Sequence, residues 1–238
     1  MLYLISLGLS EPIDMSIKAK ETAKKCSKLY LEGYTGYCKS VKELEKLLGK
    51  KITKLSRKDV EDYSKKLISK AKKNNIGILI QGHALCATTH IALLQECKEH
   101  KISYQVIHGS SVFTAVSVTG LSMYNFGKVT SIPFDNHNVK EPYNVLLQNN
   151  NLHTLFLLDL KDGKFMNFKD AISYLLRMDK TLANKIAVIC GALGSNNERI
   201  IAGKMGELLS KELEVYPQVL IIPGKMQFYE EEFLASFS

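Results

Sequence analysis

The stretch I-G-I-L-I-Q-G-H-A-L-C-A-T-T-H occupies residues 76–90, and it decides the fold class. Residues 76–80 are apolar or glycine, as in a central strand covered on both faces, and the predicted strand runs to Gln81. The strand stops at Gly82, and Thr88 or Thr89 is predicted to cap a helix that follows. A ligand is expected at this break, because small molecules bind beyond the carboxyl ends of strands in open parallel sheets.

The rest of the first half alternates strands and helices, which favours a parallel sheet with helical crossovers. Ser56-x-x-Asp59 has the form of a capping box before a Lys-rich helix, and Asp14 is predicted to cap an earlier helix. The predicted strands lie at 3–7, 28–32, 51–55 and 104–108, and the helices at 15–26, 41–48 and from Ser56 to about 73.

In the second half, strands and helices alternate less regularly. Residues 135–151 are polar and are assigned no helix or strand. Strands are predicted at 128–134, 153–160, 185–190 and 218–222, and helices at 112–121, 168–178, 201–213 and 229–237. The sequence therefore predicts an α/β protein of two domains, residues 1–110 with a parallel sheet and residues 111–238 with a mixed sheet, without an internal repeat.

Four predicted strands end at small or backbone-accessible residues. Such ends can offer free N–H and C=O groups to an adenine or amino-acid ligand, although ordinary strand-to-helix turns explain each one alone. They are Gly8-Leu9, Gly82-His83, residues 109–112 and residues 191–194.

Composition and charge limit the function class. The 238 residues are 45% hydrophobic and 24% charged, and no apolar run approaches a membrane span or forms a signal peptide, so a cytoplasmic protein without membrane contact is expected. The net charge of +8 comes from residues 18–73, which hold 18 Lys/Arg and 7 Asp/Glu. Because only three of the 32 basic residues are arginine, a solvated lysine face is favoured over specific nucleic-acid binding, and docking to an acidic partner stays open.

Several common sites are excluded by their missing motifs. No glycine-rich phosphate loop, serine elbow or H-E-x-x-H occurs, and five cysteines without a C-x-x-C pair indicate reduced, mostly buried thiols. His83 and His90 lie seven residues apart without a third ligand nearby, which favours structural roles and predicts no metal site. His153 is interpreted as a hydrogen-bonded imidazole at a strand end.

Six segments, collinear from end to end, resemble the diphthine synthase family. They are M-L-Y-L-I-x-L-G-L at the start, L-E-x-Y-T at 31–35, A-T-T-H at 87–90, V-I-H-x-x-S-V at 106–112, L-H-T-L-x-L-L-D at 152–159 and I-P-G-K at 222–225. The resemblance implies a tetrapyrrole-methylase-like (class III) methyltransferase of two α/β domains. It also implies a homodimer, with S-adenosylmethionine in the cleft between the domains.

The resemblance further implies the substrate and the site. The acceptor would be the partly built diphthamide side chain on a histidine of translation elongation factor 2, and S-adenosylhomocysteine would be the product form of the cofactor. No residue is assigned as catalytic. Carried over by position, the cofactor contacts fall on Leu9, His83, Cys86, Ser111, Val112, Leu158, Leu193 and Gln218.

This chain departs from the family pattern at two of these positions. His83 stands where the family has an acidic residue, and Gln218 stands where it often has a histidine. His83 is interpreted as a changed cofactor contact, with a role as base for the amine acceptor as the alternative. Two other functions stay open: a small-molecule tetrapyrrole methylase, and a catalytically weakened or non-catalytic scaffold that docks on the translation factor.

Overall fold

The computed structural model describes residues 1–36, 38 and 40–238. It divides into two compact units, Met1–Phe113 and Thr114–Ser238. Each unit is built around its own five-stranded sheet.

The sheet of the first unit is entirely parallel. The strands are β1 (Leu2–Ser6), β2 (Lys28–Glu32), β3 (Ile52–Leu55), β4 (Ile76–Ile80) and β5 (Tyr104–Ile107). Their spatial order is β3-β2-β4-β1-β5, so β4 and β1 lie inside the sheet. The predicted parallel sheet is thereby confirmed.

Helices cover both faces of this sheet. They are α1 (Ile17–Lys25), α2 (Val41–Leu48), α3 (Arg57–Glu61), α4 (Ser64–Ala71) and α5 (Ile91–Glu99).

Alternate residues of β4 enter different cores. Ile76, Ile78 and Ile80 belong to a cluster that contains residues of α4 and α5, whereas Leu79 belongs to one that contains residues of α1 and α2. Every residue of β4 is buried, as the uninterrupted apolar run predicts.

The predicted caps of two helices are wrong. The Ser16 hydroxyl, not Asp14, caps α1 by accepting from the Ala19 N–H. The Asp14 carboxylate accepts instead from the N–H groups of Ser10 and Glu11, which precede the 3-10 turn Pro12–Asp14. Helix α5 begins after His90 without a side-chain cap. The Thr88 hydroxyl donates to the Ala84 carbonyl, and the Thr89 hydroxyl donates to the Glu61 carboxylate of α3. In both cases the loop is one or two residues longer than the pattern suggests.

The capping box is confirmed, but the Lys-rich helix after it is interrupted. The Ser56 hydroxyl accepts from the Asp59 N–H, and the Asp59 carboxylate accepts from the Ser56 N–H. Helix α3 ends at Glu61, and α4 starts at Ser64.

The second unit contains a mixed sheet, as predicted. The strands of this unit are β6 (Thr130–Ile132), β7 (Thr154–Leu158), β8 (Leu160–Lys161), β9 (Lys164–Phe165), β10 (Ile186–Gly191), β11 (Arg199–Lys204) and β12 (Gln218–Ile222). The sheet order is β11-β10-β12-β7-β6, with antiparallel neighbours except for the parallel pair β6 and β7. Strands β8 and β9 form a separate hairpin.

One prediction in this unit gives the wrong type of element. A helix is predicted at 201–213, but β11 pairs with β10 in register, with Ile201 opposite Ile189, and only a short helix follows at Met205–Leu208. The hairpin between β10 and β11 overrides the helical spacing of the apolar residues, and the β-branched Ile200 and Ile201 fit a strand.

Two further helices also differ from the prediction, one in its length and one because no helix is predicted there. The predicted helix 112–121 is one α-helical turn, α6 (Val112–Ala115), followed by a 3-10 turn at Val116–Thr119 that ends at Gly120. The polar segment 135–151 contains a helix, α7 (Glu141–Asn149), with Pro142 in its first turn, where the missing N–H costs nothing. The other helices are α8 (Phe168–Met178), α9 (Met205–Leu208) and α10 (Phe228–Leu234).

The five cysteines are free thiols, as predicted. Cys26, Cys97 and Cys190 are buried. Burial raises the pKa of Cys26 to about 11 and that of Cys190 to about 12, so both stay protonated and unreactive at neutral pH. Among the described residues, no helix is long and apolar enough to cross a membrane.

Candidate functional site

The first unit brings five of the predicted cofactor residues to one edge of its sheet. Leu9 follows β1, His83 and Cys86 follow β4, and Ser111 and Val112 follow β5. Because β4, β1 and β5 are parallel neighbours, the loops beyond their carboxyl ends lie side by side. This edge is the place where an open parallel sheet binds small ligands.

Backbone hydrogen bonds fasten the loop after β1 to the loop after β4. The Gly82 N–H donates to the Gly8 carbonyl over 2.7 Å, and the Gln81 side-chain amide donates to the same carbonyl over 2.8 Å. Gly8 has φ +90°, and a Cβ there would lie 2.6 Å from the Asp14 Cβ. Glycine is therefore required at position 8, and it fixes the direction in which Leu9 leaves the strand.

Ser6 connects the ends of three strands, and no sequence motif identifies it. Its hydroxyl is completely buried and accepts from the Ala84 N–H over 3.0 Å. A Cβ at Gly109 would lie 2.8 Å from the Ser6 Cβ, so the loop after β5 passes directly over this serine. A small hydroxyl residue at the end of the central strand β1 thus anchors the loop that carries His83 and Cys86.

His83 is paired with a second histidine. Its Nε2 lies 2.8 Å from Nδ1 of His108, which follows β5, and the Leu85 N–H donates to its Nδ1 over 3.2 Å. Burial, followed by the charge of His108, lowers the pKa of His83. Both ring nitrogens of His83 are engaged, which leaves neither free to act as a base.

The L-E-x-Y-T and A-T-T-H segments meet in a buried contact. The Glu32 carboxylate at the end of β2 accepts from the N–H groups of Tyr34 and Thr35 and from the Thr35 hydroxyl. His90 Nε2 lies 3.7 Å from Glu32 Oε2, and both side chains are fully buried. His90 Nδ1 lies 3.0 Å from the Ala84 carbonyl. His90 and Glu32 together therefore support the loop 82–90.

The structural role predicted for His90 is confirmed by these contacts. Nothing in the spacing of the sequence identifies Glu32 as its partner, because 58 residues separate them. In the described part of the chain, no group of three or more His, Cys, Asp or Glu side chains could hold a metal ion.

The three predicted cofactor residues of the second unit also lie at one edge of its sheet. Gln218, the first residue of β12, pairs with Gly191 at the end of β10, and Val219 pairs with Leu157 of β7. Leu193 and Leu158 therefore flank the start of β12 from its two sides. The antiparallel orientation of β12 places its beginning beside the ends of its neighbours.

The Gln218 side chain is bound within its own unit. Its Oε1 accepts from the Phe168 N–H over 2.8 Å, and its Nε2 donates to the Leu213 carbonyl over 2.7 Å. These bonds hold the start of α8 and the segment before β12 to the sheet, and they engage both polar atoms of the amide.

His153 is the hydrogen-bonded strand-end imidazole that the sequence predicts. The Gly224 N–H donates to its Nδ1 over 3.0 Å, so its proton lies on Nε2, which donates to Glu230 Oε1 over 3.1 Å. Glu230 also accepts from the N–H groups of Ser122 and Gln227. Burial acts to raise the pKa of Glu230, but these donors outweigh it and the pKa lies below its ordinary value.

Two predicted contacts offer backbone groups that S-adenosylmethionine could use. The N–H and C=O groups of Leu9 and of Leu193 make no hydrogen bond to any residue in the described ranges. Leu193 is only 8% exposed, so its backbone groups need a partner. Adenine and amino-acid groups are suitable partners, and the residues present therefore fit this cofactor.

The chain is similar to known proteins over both of its units. A family model described as Tetrapyrrole (Corrin/Porphyrin) Methylases matches residues 1–209. A protein named diphthine synthase from Methanocaldococcus jannaschii is 38% identical over 250 residues, covering 98% of this chain and 97% of that protein. A diphthine synthase from Methanococcus aeolicus is 34% identical over 248 residues, covering 98% and 96%.

Solved structures give the same result. The structure described as a crystal structure of diphthine synthase has a TM-score of 0.95 and 31% identity, covering all of this chain and 95% of that one. A putative diphthine synthase from Entamoeba histolytica has a TM-score of 0.84 and 27% identity, covering 100% and 98%.

Proposed function

The chain belongs to the tetrapyrrole methylase family and to its diphthine synthase branch, and from this membership we propose its substrate, cofactor contacts and partners. It has the tetrapyrrole methylase fold and is an S-adenosylmethionine-dependent methyltransferase of diphthamide biosynthesis. The observation that carries this conclusion is the similarity to diphthine synthases over nearly the whole chain, because it includes the strand-end loops of both units. The small-molecule tetrapyrrole methylase is correspondingly disfavoured.

The acceptor that we propose is the diphthamide precursor on a histidine of translation elongation factor 2. A protein acceptor requires docking contacts, and the first unit carries exposed lysines on both sides of its sheet. They include Lys24 on α1 and Lys65 and Lys66 on α4. Charge attraction at these lysines would speed the encounter with an acidic partner and would weaken as salt increases.

The cofactor contacts that we propose are the strand-end residues of each unit. In the first unit they are Leu9, His83, Cys86, Ser111 and Val112, of which Leu9 contributes its unpaired backbone groups. In the second unit Leu158, Leu193 and Gln218 contribute, Leu193 through its backbone. Because both polar atoms of the Gln218 amide are engaged, we assign this residue an apolar or backbone contact.

Methyl transfer depends more on how the protein positions the reactants than on a catalytic side chain. When bound, the sulfonium of S-adenosylmethionine supplies an electrophilic methyl group with a good leaving group. The loops after β1, β4 and β5 would orient the cofactor and exclude water, which is sufficient for much of an in-line displacement. His83 is unsuited to remove the proton of the acceptor amine, since Leu85 and His108 occupy its two nitrogens.

We also propose a homodimer that buries part of the second unit. Tyr124, Phe228 and Phe233 expose large aromatic surfaces, and the Ser122 N–H donates to Glu230 of α10, which places the two segments side by side. Exposed apolar patches of this kind often mark protein interfaces. Light scattering after gel filtration should give twice the chain mass, and the double substitution Tyr124→Glu and Phe228→Glu should give the monomer.

The decisive experiment has two steps. Calorimetric titration with S-adenosylhomocysteine tests whether the cofactor site is intact, and micromolar binding is expected. Transfer of labelled methyl groups from S-adenosylmethionine to elongation factor 2 that carries the diphthamide precursor then tests the activity, with the unmodified factor as control. Binding without transfer, or no binding at all, would favour the scaffold that docks without catalysis.

Reversing the charge of the exposed lysines tests the docking of the partner separately from cofactor binding. Replacement of Lys24, Lys65 and Lys66 by glutamate should leave the affinity for S-adenosylhomocysteine unchanged and slow methylation at low salt. Unchanged methylation at low salt would remove these lysines from the proposal.

A further inference from the structure

The pairing of His83 with His108 determines the position of every proton on the two rings. The Leu85 N–H can only donate, so His83 Nδ1 is an acceptor and its proton lies on Nε2. His83 Nε2 therefore donates to His108 Nδ1, over 2.8 Å, and the proton of His108 must lie on its own Nε2. The ring centroids are 5.0 Å apart and the planes are inclined by 31°.

We propose that His108 is a positioning residue that holds His83, as the neutral Nε2–H tautomer, at the cofactor edge of the first unit. This inference rests on the proposed function, because His83 is one of the proposed cofactor contacts. His108 follows β5 and His83 follows β4, so their hydrogen bond joins the two loops that carry Cys86 on one side and Ser111 and Val112 on the other.

The arrangement is sensitive to the uptake of one proton. A proton added to His83 goes to Nδ1, which then repels the Leu85 N–H. A proton added to His108 goes to its Nδ1, and the bond between the rings survives only if the proton of His83 moves to Nδ1, with the same loss. One added proton therefore breaks either the Leu85 bond or the bond between the two rings.

Few other charges can offset this effect. Among the charged and titratable side chains that the structure describes, His108 is the one that shifts His83 electrostatically. Burial acts in the same direction and favours the neutral ring. The nearby His108 ring and the burial of His83 thus both lower the pKa of His83 and favour its neutral form.

The test combines a spectroscopic measurement with binding. Nitrogen-15 spectra of the imidazole rings at pH 8, assigned through single substitutions, should show the Nε2–H tautomer for both His83 and His108. The Nδ1–H tautomer at either ring would overturn the assignment. This measurement needs no cofactor and so does not depend on the proposed function.

Two substitutions at His108 test the positioning role. Asparagine places an acceptor oxygen near the position of Nδ1, whereas leucine does not. His108→Asn should keep the affinity for S-adenosylhomocysteine within about threefold, and His108→Leu should weaken it about tenfold, the effect of one hydrogen bond. His108 is exposed, so both variants are expected to fold, and His100→Leu is a matched control at a remote exposed histidine.

The pH profile completes the test. The wild-type affinity should be constant from about pH 8 to pH 7 and should fall below about pH 6 with the uptake of one proton, in the range where histidine titrates. Wild-type binding with equal affinity for His108→Leu would overturn the inference while leaving the proposed function intact. Absence of binding by the wild type at every pH would instead contradict the proposed function.

Discussion

The imidazole of His153 and the carboxylate of Glu230 form a completely buried pair, with 3.1 Å between Nε2 and Oε1. His153 precedes β7 and Glu230 lies in the first turn of α10, so the pair fastens the last helix to the sheet of the second unit. Three donors converge on this one carboxylate, from His153, Ser122 and Gln227.

Substitution of Glu230 by glutamine should destabilise the protein although the shape is nearly unchanged. The amide NH₂ must face one of the three donors, which leaves a buried donor without an acceptor, at a cost of about 1–3 kcal/mol. Urea unfolding measures this change in free energy. Glu231→Gln, on the exposed side of the same turn, is the control and should be neutral. Equal stability of the two variants would contradict the importance of the Glu230 contacts.

The stability that Glu230 contributes should depend on pH. Its pKa is lowered in the folded protein, so the unfolded chain takes up a proton first as the pH falls. The contribution is therefore complete above the ordinary value of 4.5 and disappears as the pH falls through the lower folded value. The difference in unfolding free energy between wild type and Glu230→Gln should be constant from pH 7 to about pH 5 and shrink below about pH 4. A difference that stays constant to pH 3 would rule out this linkage.

Glu32 should tolerate glutamine but not leucine. Glutamine Oε1 can still accept from the N–H groups of Tyr34 and Thr35, and its NH₂ can donate to His90 Nε2, which has no hydrogen-bond partner in the described part of the chain. We expect Glu32→Gln to change the unfolding free energy by less than about 1 kcal/mol and Glu32→Leu to lower it by about 2 kcal/mol or more.

Cofactor binding provides a second measure of the Glu32 contact. Because His90 supports the loop 82–90, the leucine variant should also bind S-adenosylhomocysteine more weakly than the glutamine variant. The same affinity for both would show that the pair supports the fold and not the site.

Gly8 and Gly49 form a matched pair for testing the loop after β1. Both have positive φ, so alanine costs about 1 kcal/mol of backbone strain at each position. At Gly8 the new Cβ would also clash with Asp14, whereas at Gly49 it meets no atom within 4 Å. Gly8→Ala should therefore lose about 1–3 kcal/mol more in urea unfolding.

The same two variants separate stability from binding. Gly8→Ala moves Leu9 and should weaken the binding of S-adenosylhomocysteine, while Gly49→Ala should bind as the wild type does. Equal binding by both variants would exclude Leu9 from the cofactor contacts.

Local signals in the sequence predict most of the elements correctly. The buried run of β4, the capping box at Ser56 and Asp59, and the helix at 168–178 were each confirmed, because each depends on residues close together in the chain. The prediction failed for β11, where Ile201 pairs with Ile189. A hairpin partner is a tertiary contact, and it outweighs the helical spacing of the surrounding apolar residues.

The sequence by itself determined the two α/β units, the strand ends at which the proposed cofactor residues lie, and, through six collinear segments, the family. These follow from periodicity, glycine placement and residue identity. Only the tertiary structure decided which distant side chains meet: Glu32 with His90, His83 with His108, and Glu230 with His153. Strand order brings these partners together, and the buried hydrogen bonds then fix each ring, because an unpaired polar group inside the protein is costly.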